Sequence, residues 1–421
     1  GSWLSEWLIS LGARVEGYSN GIPTDPSLFT LLKLQDRISH TNADVQDLQT
    51  LKDVISPVNV PPYDNSAMDG YAVSEKDLLN IPVTLKQVGI SAAGSGFKGN
   101  LGSGETVRIF TGAPLPSGAD TIIIQEDVDS DKDDITIKKG SSRGNFVRSA
   151  GLDFYKGDVL LKSGRIITAR DLGLVAAMNV PWLVVRRRPR IAYTATGDEV
   201  VMPGDPLGAD QIISSNSVAL GAYIETLGGV PIDLGIARDN EESLQAVFNG
   251  AKGVDLLVTM GGASVGDYDF VRNVLNDNGM KLSFYKVAMR PGKPLIFGHL
   301  DGVPVLGLPG NPVSAGVTSA IFLKAAISSM LGLKYESNSP ATALLGRNLE
   351  ANDFRQDYLR STLSNDKDGN LIVTPFEHQD SVMLERLAKA DCLVVRPPEA
   401  PAAVIGERVE IILLGKSMIA F

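Results

Sequence analysis

Residues 254–270 read VDLLVTMGGASVGDYDF, an apolar run followed by two glycines and a polar loop. The run Val254–Met260 is nearly all apolar, as expected for a strand in a sheet that is covered on both faces. On both sides of this run, the sequence pattern predicts strands and helices in alternation. The strands are Ile191–Thr194, Val230–Ile236, Leu282–Val287, Pro294–Phe297 and Val303–Leu308, and the helices are Ser217–Leu227, Asn240–Lys252, Tyr268–Asn278 and Pro312–Met330. This alternation predicts an α/β domain with a mainly parallel sheet.

The chain on either side of this domain has a different pattern. From about Ser56 to Arg188, short β-like runs are separated by Gly, Pro and Asp, which indicates mixed β structure. Short runs return after Ser337 and predict a small all-β terminal domain. Residues 3–11 have the apolar spacing of an amphipathic helix. The acidic run 127–134 is interpreted as a solvated hairpin tip rather than a metal loop, because the glycine of a calcium loop is missing.

Composition excludes several classes of protein. The 421 residues include 39 Lys and Arg against 49 Asp and Glu, a net charge of −10 that argues against general binding to nucleic acid or anionic membranes. With 43% hydrophobic residues, the chain is not mainly disordered. The single cysteine, Cys392, excludes an intrachain disulfide and a zinc finger, and the three histidines are widely spaced, so oxygen ligands are expected for any metal. The longest uncharged run, 303–323, is broken by Pro and Gly and predicts no membrane span, which makes the cytoplasm the expected location.

Four loops follow predicted strands of the α/β domain, and ligands of open α/β sheets bind at the carboxyl ends of strands. The loops are 196–199, 237–239, 261–269 and 308–314. The third combines Gly261 and Gly262 with Ser264, Asp267 and Asp269. Its glycines allow close approach of the backbone to a ligand, although a plain strand–helix turn would also explain them. It is neither a Walker loop nor a dinucleotide fingerprint.

Two further stretches favour binding of an anion. In MRPGKP (289–294), two prolines and a glycine hold Arg290 and Lys293 three residues apart, and a solvated turn is the alternative. In the fourth loop, Asn311 is a possible helix N-cap with Pro312 at the first helical position, or else Ser314 donates to an oxyanion. The arginines of 186–190 are interpreted as a charged domain junction leading into a strand, with a phosphate patch as the alternative.

The acidic side chains at these strand ends would repel an anion. Glu199, Asp239 and Asp269 therefore predict a site for Mg²⁺ bridging phosphate oxygens. In the first half of the chain, 61–73 is by composition an Asx-rich turn, and 110–114 and 151–153 are weaker signals by themselves.

Six strings together resemble, in order, the motifs of the molybdopterin molybdenumtransferases, the family of bacterial MoeA and the gephyrin E domain. The strings are PPYDNSAMDGYAV (61–73), RIFTGAPLP (108–116), TGDEV (196–200), GGASVGDYDF (261–270), MRPGKP (289–294) and LPGNPVSA (308–315). HQDS (378–381) extends the match more loosely. Six motifs in the same order are far more specific than any one of them.

The resemblance implies a multidomain architecture. It places an elongated N-terminal domain at 1–61 and 149–187, a β-rich domain at 62–148, a MogA-like α/β domain at 188–333 and a small β-barrel-like domain at 338–421. It implies an enzyme of molybdenum cofactor biosynthesis that takes adenylylated molybdopterin and molybdate, cleaves the pyrophosphate link with Mg²⁺ and releases AMP. It also implies a homodimer, with a molybdopterin adenylyltransferase as pathway partner.

The resemblance implies site residues as well. Catalytic roles fall to Asp69, Glu199 and Asp269, and metal binding to Glu199, Asp239 and Asp269. Substrate-binding roles fall to Thr111, Asp153, Asp239, Gly261, Gly262, Ser264, Arg290, Lys293, Pro294, Ser314 and Arg360. Asp69, Thr111 and Asp153 would reach the site of the other subunit in trans.

The chain departs from the family pattern in three places. Residues 1–50 match poorly, Gly151-Leu152-Asp153 lacks an acidic neighbour, and Glu385, Arg386 and Lys389 stand where family members often have serines. Three alternatives remain open. An adenylyltransferase shares the α/β domain, but its Gly-Gly-Thr-Gly loop is absent. A scaffold protein would need a linker and second binding domain, and a generic nucleotide-binding protein would leave 61–73 unexplained.

Overall fold

The computed structural model describes residues 29–33, 50–262, 280–333 and 341–415. The chain forms two compact units, the first containing Thr50–Val184 and the second containing Val185–Phe421. The strands are β1 Phe29–Lys33, β2 Val54–Ile55, β3 Asn65–Ser66, β4 Gly70–Val73, β5 Val83–Ser91, β6 Glu105–Ile109, β7 Thr121–Ile124, β8 Val128–Asp131, β9 Asp134–Ile137, β10 Val147–Arg148, β11 Val159–Leu161, β12 Trp182–Arg186, β13 Arg190–Thr196, β14 Val200–Val201, β15 Ile212–Ile213, β16 Val230–Ala237, β17 Leu256–Met260, β18 Lys281–Tyr285, β19 Met289–Arg290, β20 Ile296–Leu300, β21 Val303–Leu308, β22 Ala341–Leu345, β23 Gln356–Asn365, β24 Leu371–Pro375, β25 Cys392–Arg396 and β26 Arg408–Leu413. The α-helices are α1 Ala169–Ala177, α2 Ser215–Thr226, α3 Glu241–Gly250, α4 Pro312–Thr318, α5 Lys324–Met330 and α6 Leu384–Lys389.

The second unit starts with the predicted α/β domain. Its six-stranded sheet has the order β16-β13-β17-β21-β20-β18. The first four strands are parallel, and β20 runs antiparallel to both neighbours. The fold class is therefore confirmed. Because β20 reverses direction, the sheet is mixed only at one edge.

Consecutive side chains of the central strands pack into two different hydrophobic cores, one on each face of the sheet. Ile191 and Val258 pack with α2, α4 and α5 on one face, whereas Ala192, Leu257 and Val305 pack with α3 on the other. This double coverage explains why the sequence of β17 is apolar without alternation. Each fully buried Leu, Ile or Val contributes roughly 1.5–3 kcal/mol, so the two cores fix the positions of the strand ends.

The terminal β domain is a closed barrel. Strands β23, β24, β22, β26 and β25 follow one another, and β25 pairs back to β23. Ala343, Val373, Val394 and Ile411 fill its interior. A short strand of the α/β domain is added outside the ring, where Met289 and Arg290 pair with Gln356 and Asp357 of β23. The barrel and the α/β domain therefore share backbone pairing.

The first unit contains the mixed β structure that the sequence predicts. Its main sheet has the order β7-β4-β6-β5-β9-β8. Strands β8 and β9 form a hairpin with Asp131 opposite Asp134, so the acidic run is a hairpin tip as expected. Helix α1 was not anticipated. It begins with a capping box, in which Thr168 accepts from the Asp171 amide and Asp171 accepts from the Thr168 amide.

The single helix predicted over 312–330 is interrupted. Residues Ser319–Leu323 form a π-helical turn between α4 and α5, which an apolar pattern cannot reveal. The combined stretch Pro312–Met330 is long and apolar enough to cross a membrane by length and composition, but most of it is buried inside the protein. It is therefore a core helix. The helices predicted for 3–11 and 268–278 lie outside the described residues.

Candidate active site

Three strand ends meet at the carboxyl edge of the α/β sheet. The Gly261 amide donates to the Leu308 carbonyl at 3.1 Å, and a methyl group added at Gly261 would lie 2.8 Å from the Thr196 carbonyl oxygen. Gly261 and Gly262 have φ values of +101° and +62°, which favour glycine. A methyl group on Gly310 would lie 3.5 Å from the Gly261 Cα. The first, third and fourth loops therefore lie side by side.

An asparagine that the sequence did not single out joins this edge. Asn216 Nδ2 donates to the Gly310 carbonyl at 2.7 Å from the first turn of α2. The run of polar residues at the start of α2 is the sequence feature that could have pointed to Asn216. Beside it, a groove of about 580 Å³ opens between α2, α4 and α6. Met260 and Asn216 line the groove, so it reaches the carboxyl edge.

An acidic cluster occupies the ends of β13 and β16. The Asp239 amide donates to Asp198 Oδ1 at 3.3 Å, and Arg238 Nη1 donates to the Asp198 carbonyl at 2.8 Å. Burial, together with the charges of Asp198 and Glu199, raises the pKa of Asp239. A cation would relieve this repulsion, and carboxylate oxygens are ligands that Mg²⁺ prefers. Glu199 and Asp239 thus come together, with Asp198 as an unforeseen neighbour.

The predicted metal set cannot be completed from these residues alone. Asp269 and Ser264 lie outside the described residues. Within the described part of the chain, no three His, Cys, Asp or Glu side chains are grouped to hold a metal ion. The assignment of Glu199, Asp239 and Asp269 as metal ligands stays a prediction.

The MRPGKP loop packs between the two domains of the second unit. Arg290 Nε donates to Asp357 Oδ1 at 2.8 Å, its Nη2 donates to Asp357 Oδ2, and its Nη1 lies 3.3 Å from Asp353 Oδ2. Most of its donors therefore serve carboxylates. Lys293 is exposed and Pro294 is half-buried. Gly292, with φ +111°, lies so close to Thr318 that an added methyl group would be 2.5 Å from Cγ2.

Helix α4 carries Ser314, which is 5% exposed. Pro312 occupies the first helical position and Asn311 the N-cap position, but the Asn311 side chain makes no capping bond. Instead, Asn311 Nδ2 donates to Ser381 Oγ at 2.8 Å, and the Val313 amide donates to the Ser381 carbonyl at 3.0 Å. The segment after the barrel strand β24 therefore covers the start of α4.

Arg360 is the most unusual charged side chain of the second unit. It is 1% exposed, and its Nη2 donates to the Asp380 carbonyl at 3.1 Å. Among the described residues, its Nε has no hydrogen-bond partner. Burial, with a smaller effect of Arg386, lowers the pKa of Arg360 to about 10, so the side chain is still a cation at neutral pH. A buried unpaired donor costs about 1–3 kcal/mol, which an oxyanion ligand would recover.

In the first unit, the structure brings Asp69 and Thr111 together. Asp69 Oδ1 accepts from the Thr111 amide at 2.7 Å and from its hydroxyl at 2.9 Å. These bonds lower the pKa of Asp69 and keep it ionised. The Arg108 guanidinium lies over the rings of Tyr71 and Phe110, 4.9 and 5.1 Å from their centroids.

Asp153 lies on a neighbouring turn of the same unit. Its amide donates to the Val60 carbonyl at 2.9 Å, and the Ala150 amide donates to Asp64 Oδ1 at 2.8 Å. The turn 150–154 therefore lies along the start of the 61–73 motif. The sequence did not identify Asp64 as the residue that fixes this turn.

Comparisons with known proteins cover nearly the whole chain. Residues 27–179 match the MoeA N-terminal region, 192–329 the molybdopterin-binding domain and 342–414 the MoeA C-terminal region. A molybdopterin molybdenumtransferase of Haemophilus influenzae is 37% identical over 86% of this chain and 89% of its own. One from Nostoc is 39% identical over 66% of each chain.

A solved structure agrees with these matches. A crystal structure of a molybdopterin biosynthesis MoeA protein from Pyrococcus horikoshii is 30% identical and covers 97% of this chain and 99% of its own, with a TM-score of 0.79. Family models and relatives thus agree over both units of the chain. The chain belongs to the molybdopterin molybdenumtransferase family, transferases of molybdenum cofactor biosynthesis.

Proposed function

We propose that this protein transfers molybdenum from molybdate to molybdopterin, using adenylylated molybdopterin as the substrate and releasing AMP. The two dithiolene thiols of the pterin form Mo–S bonds and displace one oxo group of molybdate, which leaves with the two thiol protons as water. One water is consumed as the phosphoanhydride link breaks, so AMP leaves and the pterin keeps its own phosphate. The observation that carries the proposal is the buried Arg360, whose Nε lacks a partner among the described residues. A tetrahedral dianion such as molybdate matches a buried guanidinium in charge and in hydrogen-bond acceptors.

The surroundings of Arg360 support capture of an oxyanion. Arg360 is bonded to Asp380, whose neighbour Ser381 covers the start of the helix that carries Ser314. Lys293 stands in the loop that packs on the same helix through Gly292. Lys293 and Ser314 are therefore proposed to bind molybdate with Arg360. Arg290, whose donors mainly serve Asp357 and Asp353, holds this loop on the barrel and contributes positive charge.

The carboxyl edge of the sheet is proposed to bind the rest of the substrate. Gly261 and Gly262 let the backbone approach the anhydride phosphates. The groove beside Met260 has a volume typical of small-molecule sites and offers apolar surface to the pterin. Glu199, Asp239 and Asp269 are proposed to hold Mg²⁺, which when bound neutralises charge on the phosphate oxygens. The raised pKa of Asp239 fits a carboxylate cluster that receives a cation.

The site is proposed to be shared between two copies of the chain. Asp69, Thr111 and Asp153 would then act in trans, with Asp69 held ionised by Thr111. The protein is accordingly proposed to be a cytoplasmic homodimer that receives its substrate from a molybdopterin adenylyltransferase. The substrate is an activated pterin phosphate, which an adenylylating enzyme must provide.

The test is AMP release from adenylylated molybdopterin with Mg²⁺, with and without molybdate. Release that requires molybdate and gives a cofactor able to reconstitute an apo-molybdoenzyme supports the proposal. Tight binding of the pterin without release would instead indicate a carrier or scaffold.

A variant sharpens this test. Asp269→Ala is expected to abolish metal insertion while the fold persists, and Asp133→Ala in the exposed hairpin is the matched control. An active Asp269→Ala protein would remove Asp269 from the proposed site.

A further inference from the structure

The Gln379 side chain extends the pairing of β23 past the end of β24, at Arg360. Strand β24 ends at Pro375, opposite Ser361 of β23, and the next residue, Phe376, still donates its amide to the Arg360 carbonyl at 3.0 Å. The Gln379 amide bonds to the backbone of the same arginine. Its Oε1 accepts from the Arg360 amide at 3.0 Å, and its Nε2 donates to the carbonyls of Arg360 and Phe376 at 3.0 and 2.9 Å.

The two residues after Gln379 link the guanidinium to the neighbouring domain. The Asp380 carbonyl accepts from Arg360 Nη2 at 3.1 Å. Ser381 accepts from the Val313 amide through its carbonyl and from Asn311 Nδ2 through its hydroxyl. Three consecutive residues thus bond, in turn, to the backbone of β23, to the guanidinium and to the start of α4. We call residues 379–381 the tether.

We propose that the tether is a positioning element, in which Gln379 sets the place of the Arg360 guanidinium relative to α4 and so determines affinity for the oxyanion. The inference rests on the proposed function, because it takes molybdate as the ligand of Arg360. The Gln379 amide is hydrogen-bonded to three backbone groups. Gln379 is therefore proposed to act by positioning Arg360, and not by contacting the ligand.

This geometry explains why a glutamine suits the position. The amide has one acceptor and two donors available in one plane, so it can pair with both backbone groups of Arg360 and still reach Phe376. A glutamate at position 379 would lack the two N–H donors of the amide. A leucine would have nearly the same volume as glutamine but would make none of the three hydrogen bonds. A guanidinium that shifts by about 1 Å loses much of its hold on a bound ligand, because positioning of binding groups is steeply distance-dependent.

The experiment compares Gln379→Leu with Gln245→Leu, the same change on α3 far from the tether. Titration calorimetry with sodium molybdate on the full chain measures affinity, and AMP release measures KM for molybdate and kcat. Gln379→Leu is expected to weaken molybdate binding and raise KM by about tenfold, with kcat at saturating molybdate within about twofold of the parent protein. Gln245→Leu is expected to change neither.

A double-mutant cycle separates positioning from general loss of stability. Arg360→Met is expected to weaken binding more than Gln379→Leu does, and adding Gln379→Leu to Arg360→Met is expected to cause no further loss. Two results would overturn the proposed role of the tether. One is that the losses of molybdate affinity in Gln379→Leu and Arg360→Met are additive, and the other is that Gln379→Leu has a lower Tm but unchanged molybdate affinity. If the parent protein binds no molybdate, or Arg360→Met binds it normally, the proposed function itself fails at this site.

Discussion

Arg290 and Asp357 join the α/β domain to the barrel by two parallel hydrogen bonds, and they stand 67 residues apart in the sequence. Asp357 is 5% exposed, whereas the Arg290 side chain is 47% exposed. A buried carboxylate with a bidentate arginine partner is expected to contribute more than a surface pair.

Asp357→Asn is therefore expected to lower the free energy of unfolding by about 1–3 kcal/mol, because the guanidinium loses its charged partner. Chemical denaturation followed by circular dichroism measures the change. Asp368→Asn, at an exposed carboxylate in the turn between β23 and β24, is the control, with a smaller expected effect. Equal effects of both variants would contradict the special role of Asp357.

The Asp171 carboxylate makes the stability of the first unit depend on pH. Burial alone would raise the pKa of Asp171, but bonds from Arg165 and Thr168 outweigh it and lower the pKa. A lowered native pKa gives a contribution that is present above the unfolded pKa, about 3.9, and is lost as pH falls through the native value. The difference in free energy of unfolding between the parent protein and Asp171→Asn should be largest at about pH 7 and should decrease as the pH falls below the unfolded pKa of about 3.9. The exposed Asp129→Asn is the control, and a gap that does not change with pH would refute the assignment.

Gly261 is expected to tolerate no side chain. Gly261→Ala combines a positive φ with a clash against the Thr196 carbonyl, whereas Gly253→Ala meets a φ of +80° with no atom within 4 Å. Gly253→Ala should cost about 1–2 kcal/mol of strain, and Gly261→Ala about 1–3 kcal/mol more. Denaturation of both variants measures the difference. Similar losses would mean that backbone strain, rather than close packing of the strand ends, requires glycine.

Lys293→Ala is expected to raise the molybdate concentration needed for turnover, because the exposed cation adds a point charge to the oxyanion site. An increase of about tenfold in KM is expected if its charge acts close to the ligand. Lys252→Ala, at an exposed lysine in the turn that follows α3, is the matched control. An unchanged molybdate dependence would remove Lys293 from the site.

Part of this molecule could be predicted from the sequence because local patterns determine it. The apolar run of β17 reflects two covered faces, and the glycines of the third loop mark the strand end at Met260. Helix α1 was missed because its capping box uses Asp171 in place of the usual Glu or Gln, within a region rich in strand signals.

The site was harder to predict because its key contacts are long-range. The sequence alone gives no sign that Arg290 is bonded to Asp357 or that Gln379 holds the backbone of Arg360. Whether an arginine is exposed or buried is decided by the closure of the barrel, not by its neighbours in the chain. For this reason the family resemblance could predict Arg360 as a substrate-binding residue, but it could not predict that its Nε is buried without a hydrogen-bond partner among the described residues.

The strand Met289–Arg290 also bears on how this chain can be divided. The barrel takes this strand from the α/β domain, so a fragment beginning at residue 341 would leave the edge of β23 bare at Gln356 and Asp357. The same fragment would bury the Asp357 carboxylate without its guanidinium partner. The barrel therefore cannot be moved into another protein as an independent domain. Chimeras between relatives are expected to fold only if the MRPGKP loop and the barrel come from the same parent.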